Sequence, residues 1–312
     1  VPTIMMFVQS LRGISHNKWS AFDAPAQGMV LNNATVVGTR SALAGPVDAN
    51  AGLGGNAARL ILNEVTSNRP SALSGQIEVA GQSARLVIAN PNGIVCDGCG
   101  FINTPHVQLT TGRPDFVQGR LQFDVTGGAI EVGRSGLTAL AGRLDLIART
   151  LRSTGPISAQ AGLNVSAGRA VVDADTLAAS DAGRDGAGPY PEDDPDSFAI
   201  EIGQSVSAGS IVLVAVGDQL GVRTTAALKA DTDIIIASRE RIELHAPVDA
   251  GRNVGIYNVG AWHSVIDDSV AAGGDLQIMA MDMSITGRGW LAAHGDIEIG
   301  FLPDNSDGWT RF

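Results

Sequence analysis

The sequence predicts an all-β chain wound as a single-stranded parallel β-helix. Three observations carry this. The C-terminal half repeats itself every 20–22 residues, each unit a small residue, a Gly/Asp/Asn turn and an apolar-x-apolar strand. Helical stretches long enough to alternate with strands are nearly absent. Aromatic residues make up 4% of the chain and apolar residues 44%, which suits a narrow aliphatic interior.

The repeats define the elements. They read Ala208-Gly-Ser-Ile211-Val-Leu213, Ala230-Asp-Thr-Asp-Ile234-Ile-Ile236, Ala250-Gly-Arg-Asn-Val254-Gly-Ile256, Ala272-Gly-Gly-Asp-Leu276-Gln-Ile278 and Ala293-His-Gly-Asp-Ile297-Glu-Ile299. The alanines are 22, 20, 22 and 21 residues apart. Two looser units, Ala141-Gly-Arg-Leu144 and Ala161-Gly-Leu163, precede them. Period-2 alternation buries one strand face and wets the other. A strand of three to five residues cannot bury that face alone, so units must stack. Stacking puts Ile211, Ile234, Val254, Leu276 and Ile297 in one interior ladder. Coils of about 21 residues, rising about 4.8 Å each, would make a rod on the order of 60–70 Å long.

The alternatives fare worse. A β-sandwich requires the near-equal spacings and their shared opening to be coincidence. Leucine-rich repeats demand a Leu/Asn pattern that is absent. The best helical candidate, residues 57–65, has apolar spacing that also suits a strand. One segment breaks the period: residues 178–197, rich in Asp, Gly and Pro, read as an acidic excursion from the rod. It is expected to be a solvated loop, since its carboxylates match no calcium-loop pattern.

Composition excludes several functions. The formal net charge is −11, and the cations are 19 Arg with only Lys18 and Lys229. Nonspecific nucleic-acid binding and anionic membrane surfaces need clustered cations. A mean hydropathy of +0.13 argues against disorder. The apolar start, Val1 to Val8, has neither a basic region before it nor a small-residue cleavage site after it, and reads as the start of a mature or trimmed chain.

Two local motifs stand out. In Asn90-Pro91-Asn92-Gly93-Ile94 each residue suits its place in a type I turn: Pro91 fixes φ, the Asn90 side chain holds backbone amides, and Gly93 tolerates a left-handed exit. Strands are expected at residues 84–89 and 94–96. Cys96 and Cys99 are the only cysteines, too few for a four-cysteine zinc site. Two readings stand: a local disulfide, preferred, which requires an oxidising compartment, or reduced structural thiols.

No catalytic or metal arrangement emerges. His16, His106, His245, His263 and His294 are scattered, and nucleophile-elbow and phosphate-loop motifs are missing. Asp233, Asp275 and Asp296 each precede a strand, so they could stack as a carboxylate ladder of the kind polysaccharide-degrading β-helices use. Supplying turn hydrogen bonds explains them more simply. No enzyme activity, cofactor or metal is expected.

The N-terminal third resembles a known family. Gly13-Ile-Ser-His-Asn-Lys-Trp19 with Phe22, Gly28-Met-Val-Leu-Asn-Asn33, Ile61-Leu-Asn-Glu-Val-Thr66, Leu73-Ser-Gly-Gln-Ile-Glu-Val-Ala-Gly81, the Asn90–Ile94 motif, residues 96–106 (CDGCGFINTPH) and Leu109-Thr-Thr-Gly-Arg-Pro114 follow in order. Together they resemble the two-partner-secretion domain of filamentous haemagglutinin-like exoproteins. The 96–106 stretch is most similar to the CdiA branch, the contact-dependent growth inhibition effectors.

The resemblance implies a right-handed β-helix with an N-terminal β-cap and extra-helical hairpins. It implies residues 1–240 as the secretion domain and 241–312 as continuing filament coils. It implies export through the periplasm of a Gram-negative bacterium to the outer-membrane surface or medium. The partners would be the POTRA domains of an outer-membrane β-barrel transporter of the TpsB/CdiB type and the downstream filament, with the domain itself monomeric. Asn90 to Ile94 would be the secretion motif, with fold-locking the favoured role. Family members often carry a second turn, NPNL, upstream; residues 47–55 occupy that region here without a proline. Ile4, Phe7, Trp19 and Phe22 are the cap candidates, because an open end coil is an edge that aggregates. Competing functions are an adhesin rod binding host glycans or receptors, and a polysaccharide-degrading enzyme.

Overall fold

The structure, a computed structural model, describes residues 2–7, 13–140, 142–180, 198–217, 220–260 and 263–300. Each apolar-x-apolar segment forms a strand that pairs in parallel with the equivalent segments of neighbouring coils. Among the described residues the strands make three walls, two sheets of 11 strands and one of 9. One turn shows the path. Val206–Ala208 lies in wall 1, Ile211–Val216 in wall 2 and Gly221–Thr224 in wall 3. Leu228–Ala230 then returns to wall 1 beside Val206–Ala208. The chain is thus a parallel β-helix. The described residues contain no α-helix; Ala51–Leu53 is a single 3₁₀ turn. The ambiguous 57–65 segment contains the strand Leu60–Val65, paired to Ile14–Trp19 and Arg85–Ala89.

The interior ladder forms in the expected register. Ile211 pairs Ile234, which pairs Val254, then Leu276, then Ile297. It runs back through Leu163, Leu144, Val107, Leu86 and Ile61. Ile211 to Leu276 are buried, and Ile297, on the last strand, is 46% exposed. The alanines stack as well, Ala208 on Ala230, Ala250, Ala272 and Ala293. Further back this column continues through Ala159 and Ala139 rather than Ala161 and Ala141. The stacked alanines lie two residues upstream of the ones the repeat pattern picked out, and Ala159 stands four residues before Leu163 just as Ala230 stands four before Ile234.

Between walls 1 and 2 the turn residues bond forward. Asp233 Oδ1 accepts from the Asn253 N–H (3.1 Å), Asn253 Oδ1 from Asp275 N–H (2.9 Å), and Asp275 Oδ1 from Asp296 N–H (3.0 Å). The acidic turns therefore do hydrogen-bonding work, and the bonds run to the next coil.

The rod is shorter than expected. Among the described residues the eleven strands of walls 1 and 2 give ten steps, about 48 Å. Among the described residues, two excursions leave the coils and cover outer surfaces. The antiparallel hairpin Thr39–Ser41 and Gly45–Val47 encloses Val30, Ala34 and Ala80 on wall 1. A four-stranded antiparallel sheet, Arg113–Val117, Arg120–Val125, Ala170–Asp173 and Ala179–Ser180, covers wall 2. Its Leu121, Phe123, Val125 and Val172 pack on Leu62, Val87, Ala89 and Ile147. Of the expected acidic excursion, residues 181–197 lie outside the described residues.

At the N-terminus, Thr3–Met5 begins wall 1 and Ile14–Trp19 begins wall 2. Phe7 and Phe22 are buried in the main core, and Trp19 is half-buried against it, its ring 6.4 Å from that of Phe22. Ile4 differs from expectation. It is 45% exposed, and Met5, the next residue, packs on the core instead. The period-2 alternation of a strand leaves only one of the two facing inward.

Candidate functional site

The Asn90 motif sits where wall 2 turns into wall 3, between strands Arg85–Ala89 and Ile94–Cys96. Asn90 is fully buried, and its side chain is spent on structure. Oδ1 accepts from the Asn92 N–H (3.0 Å), closing an Asx turn. Nδ2 donates to the Arg69 carbonyl (2.9 Å) and to Ser71 Oγ (3.0 Å), both in the preceding coil. The Asn90 N–H donates to the Thr110 carbonyl in the following coil (2.9 Å). One residue thus ties three coils together. Asn92 is exposed, and its side-chain amide donates to the Ser67 carbonyl (2.7 Å).

Gly93 has φ +113°, and a Cβ there would lie 3.1 Å from the Ala129 carbonyl oxygen of the next coil. Only glycine fits this conformation and approach without strain. Ile94 is buried between Ser71 and Ile130. Beside the corner lies a groove of about 670 Å³, lined by Thr66, Ser67, Asn68, Pro91, Asn92, Arg113 and the edge of Glu64 and Val65.

The next corner carries the cysteines. Cys96 and Cys99 are joined by a disulfide, with Cα atoms 5.3 Å apart and both residues buried in the cylinder. The Asp97 carboxylate accepts from the Ser135 N–H (2.7 Å), and this bond holds its pKa below the usual carboxylate value.

Sequence reasoning missed a second Asx corner. Asn50 Oδ1 accepts from the Gly52 N–H (3.0 Å), as Asn90 does from Asn92. Asn50 Nδ2 donates to the Phe7 and Asn32 carbonyls, both at 2.9 Å, so this corner fastens the N-terminal segment. The pattern Asn50-Ala-Gly-Leu53 has Ala51 where the family turn has proline. The asparagine was the informative signal, because the side chain rather than the proline makes the cross-coil bonds.

A buried polar knot was also missed. Asp145 is fully buried on the outer face of wall 2. Its carboxylate accepts from Arg143 Nε and a terminal guanidinium nitrogen (2.8 Å each), Gln108 Nε2 (2.9 Å) and Asn164 Nδ2 (2.9 Å), and it lies 2.6 Å from His106 Nε2. Burial opposes ionisation, but the bonds and charges of His106 and Arg143 outweigh it and hold the carboxyl well below the usual range. Gln108 and Arg85 also donate to the Ala174 carbonyl at 2.7 Å, and Arg85 pairs with Asp175. The knot therefore tethers the covering sheet to the wall.

The free side of that sheet is blunted. In Arg113–Val117, Pro114 has no N–H, and the Phe116 N–H is taken by the Asp115 carboxylate (2.8 Å).

The fold and these corners define a structural domain, an end-capped β-helix whose motif residues hold coils together. The family model of the TPS secretion domain matches residues 3–244, and the chain belongs to that family, the secretion domains of exoproteins exported by two-partner secretion across the Gram-negative outer membrane. It is 39% identical to the tRNA nuclease CdiA of Yersinia mollaretii over 254 residues, 80% of this chain and 8% of that protein. It is 49% identical to the hemolysin of Proteus mirabilis over 150 residues, 47% of this chain and 9% of that protein. The chain thus spans less than a tenth of these relatives. Among solved structures, the filamentous hemagglutinin secretion domain superposes with a TM-score of 0.75 at 28% identity, covering 95% of this chain and 92% of that one.

Proposed function

We propose that this chain is recognised by the periplasmic POTRA domains of an outer-membrane β-barrel transporter and then nucleates β-helix folding at the cell surface. Residues 1–240 would form the secretion domain and the later coils the start of a filament. The observation that carries the reading is the internal use of the Asn90 motif: the Asn90 side chain is buried and spends its hydrogen bonds on its own turn and on the preceding coil. Successive coils pair in parallel in one register, so a formed first coil offers a template to those that follow.

Recognition would act on the chain before it folds. Unpaired short strands offer backbone hydrogen bonds that a POTRA module can take by β-augmentation. The blunted edge at Pro114 and Asp115 supports this order, as does the internal use of the Asn90 side chain. In this reading the Asn90–Ile94 motif locks the fold and is not itself read.

Surface-immobilised POTRA domains test the proposal. Chain freshly diluted from denaturant should bind, and binding should decay as folding proceeds. Asn90→Ala should prolong the binding-competent period and lower secretion. Equal binding by the fully folded chain, lost on substituting half-buried Pro91 or exposed Asn92, would mean direct recognition instead.

A further inference from the structure

The interior is repetitive by construction. Leu151, Ile200, Val222 and Ile242 occupy equivalent buried places in wall 3, and Ala159, Ala208, Ala230 and Ala250 are identical in wall 1. Such a core favours stacking without distinguishing one coil from the next. Looping out a whole coil also costs little chain entropy, since closure cost grows only with the logarithm of loop length.

The outer face of wall 3 does distinguish coils. Across five consecutive coils its central residues are Glu131, Arg152, Glu201, Arg223 and Glu243, each registered on the one before. Arg152 Nε donates to Glu201 (2.7 Å) and Arg223 Nε to Glu243 (2.8 Å). Phe198 lies beneath Arg223 and Arg241, their guanidinium carbons 3.9 and 4.3 Å from its ring centroid. Omitting the Arg152 coil would set Glu131 against Glu201. Omitting the Glu201 coil would set Arg152 against Arg223, and omitting the Arg223 coil would set Glu201 against Glu243. Like charges directly opposite one another disfavour strand pairing.

We infer that this alternating ladder is a coil-counting device, which penalises skipped coils while the rod assembles. It is independent of which partner recognises the chain.

Ser207 and Asp249 read the skip directly. They are exposed positions of wall 1, separated by Lys229. In the native stack they are two steps apart, about 9.6 Å, too far for a disulfide. If the Arg223 coil is looped out they become neighbours and can be cross-linked. The S207C/D249C chain should therefore cross-link poorly after refolding. Adding Glu243→Arg, which makes the skipped register attractive and the native one repulsive, should raise the cross-linked fraction at least fivefold. Glu243→Ala should change it less than twofold. Inverting all five charges restores alternation and should return cross-linking to the starting level. Equal cross-linking with and without Glu243→Arg would overturn the inference, as would inverted chains that cross-link like Glu243→Arg.

Discussion

Asn90 illustrates how one side chain can hold a corner of the molecule. It is buried, closes its own turn and reaches the preceding coil. Truncation to Ala strands the Arg69 carbonyl and the Asn92 N–H, and should cost about 2–3 kcal/mol in urea unfolding. Gly93→Val, at φ +113° against the Ala129 carbonyl, should cost a further 1–3 kcal/mol or so in the same assay. Asp145 makes a different prediction. Its folded pKa is depressed, so its stabilisation is present above the ordinary value of 3.8 and is lost as pH falls through the folded value. Asp145→Asn should therefore lower stability by about 3 kcal/mol at neutral pH and flatten the acid limb of a stability–pH profile. These residues were unequally legible. The Asn90 motif announced itself through its turn residues. Asn50 lacked the proline, and Asp145 looked like one solvated carboxylate among many, because all its partners but Arg143 come from other strands, Gln108 and Asn164 being 37 and 19 residues away.

At the scale of elements, strand positions followed from alternation, and the covering layers did not. Wall 2 is buried on both faces where the antiparallel sheet lies over it. Its strands there read as continuous apolar runs, Leu86-Val-Ile-Ala89 and Leu146-Ile-Ala148. Such runs are the signature of a strand packed on both sides, a cue the 21-residue repeat overshadowed. Extra-helical hairpins were expected from the family resemblance alone, and the length estimate, built on the repeat, left out the chain that they use, which adds no height. Phe123 is the largest fully buried side chain of the covering sheet. Phe123→Ala should cost about 3–5 kcal/mol. Hydrogen exchange should accelerate first in Arg113–Val125 and Ala170–Asp173, and only later in the coils beneath.

For the whole molecule, modularity is the testable property. Residues 248–269 comprise one turn, from Val248 to the residue before Val270, its partner in the next coil. Deleting all 22 should set Val270 on Leu228 and leave a cooperative transition within a few degrees of the parent's by calorimetry. Deleting residues 248–258 alone removes two walls of the turn and should abolish protection of everything beyond it in hydrogen exchange.

The forward-reaching turn residues carry a last consequence. Asp233, Asn253 and Asp275 each hold a bracket for the tread above, as in a spiral stair assembled from the ground. Each of these three treads already contains the fixture its successor needs. Such a stair can be lengthened or shortened over generations by whole treads, with no redesign of its foot.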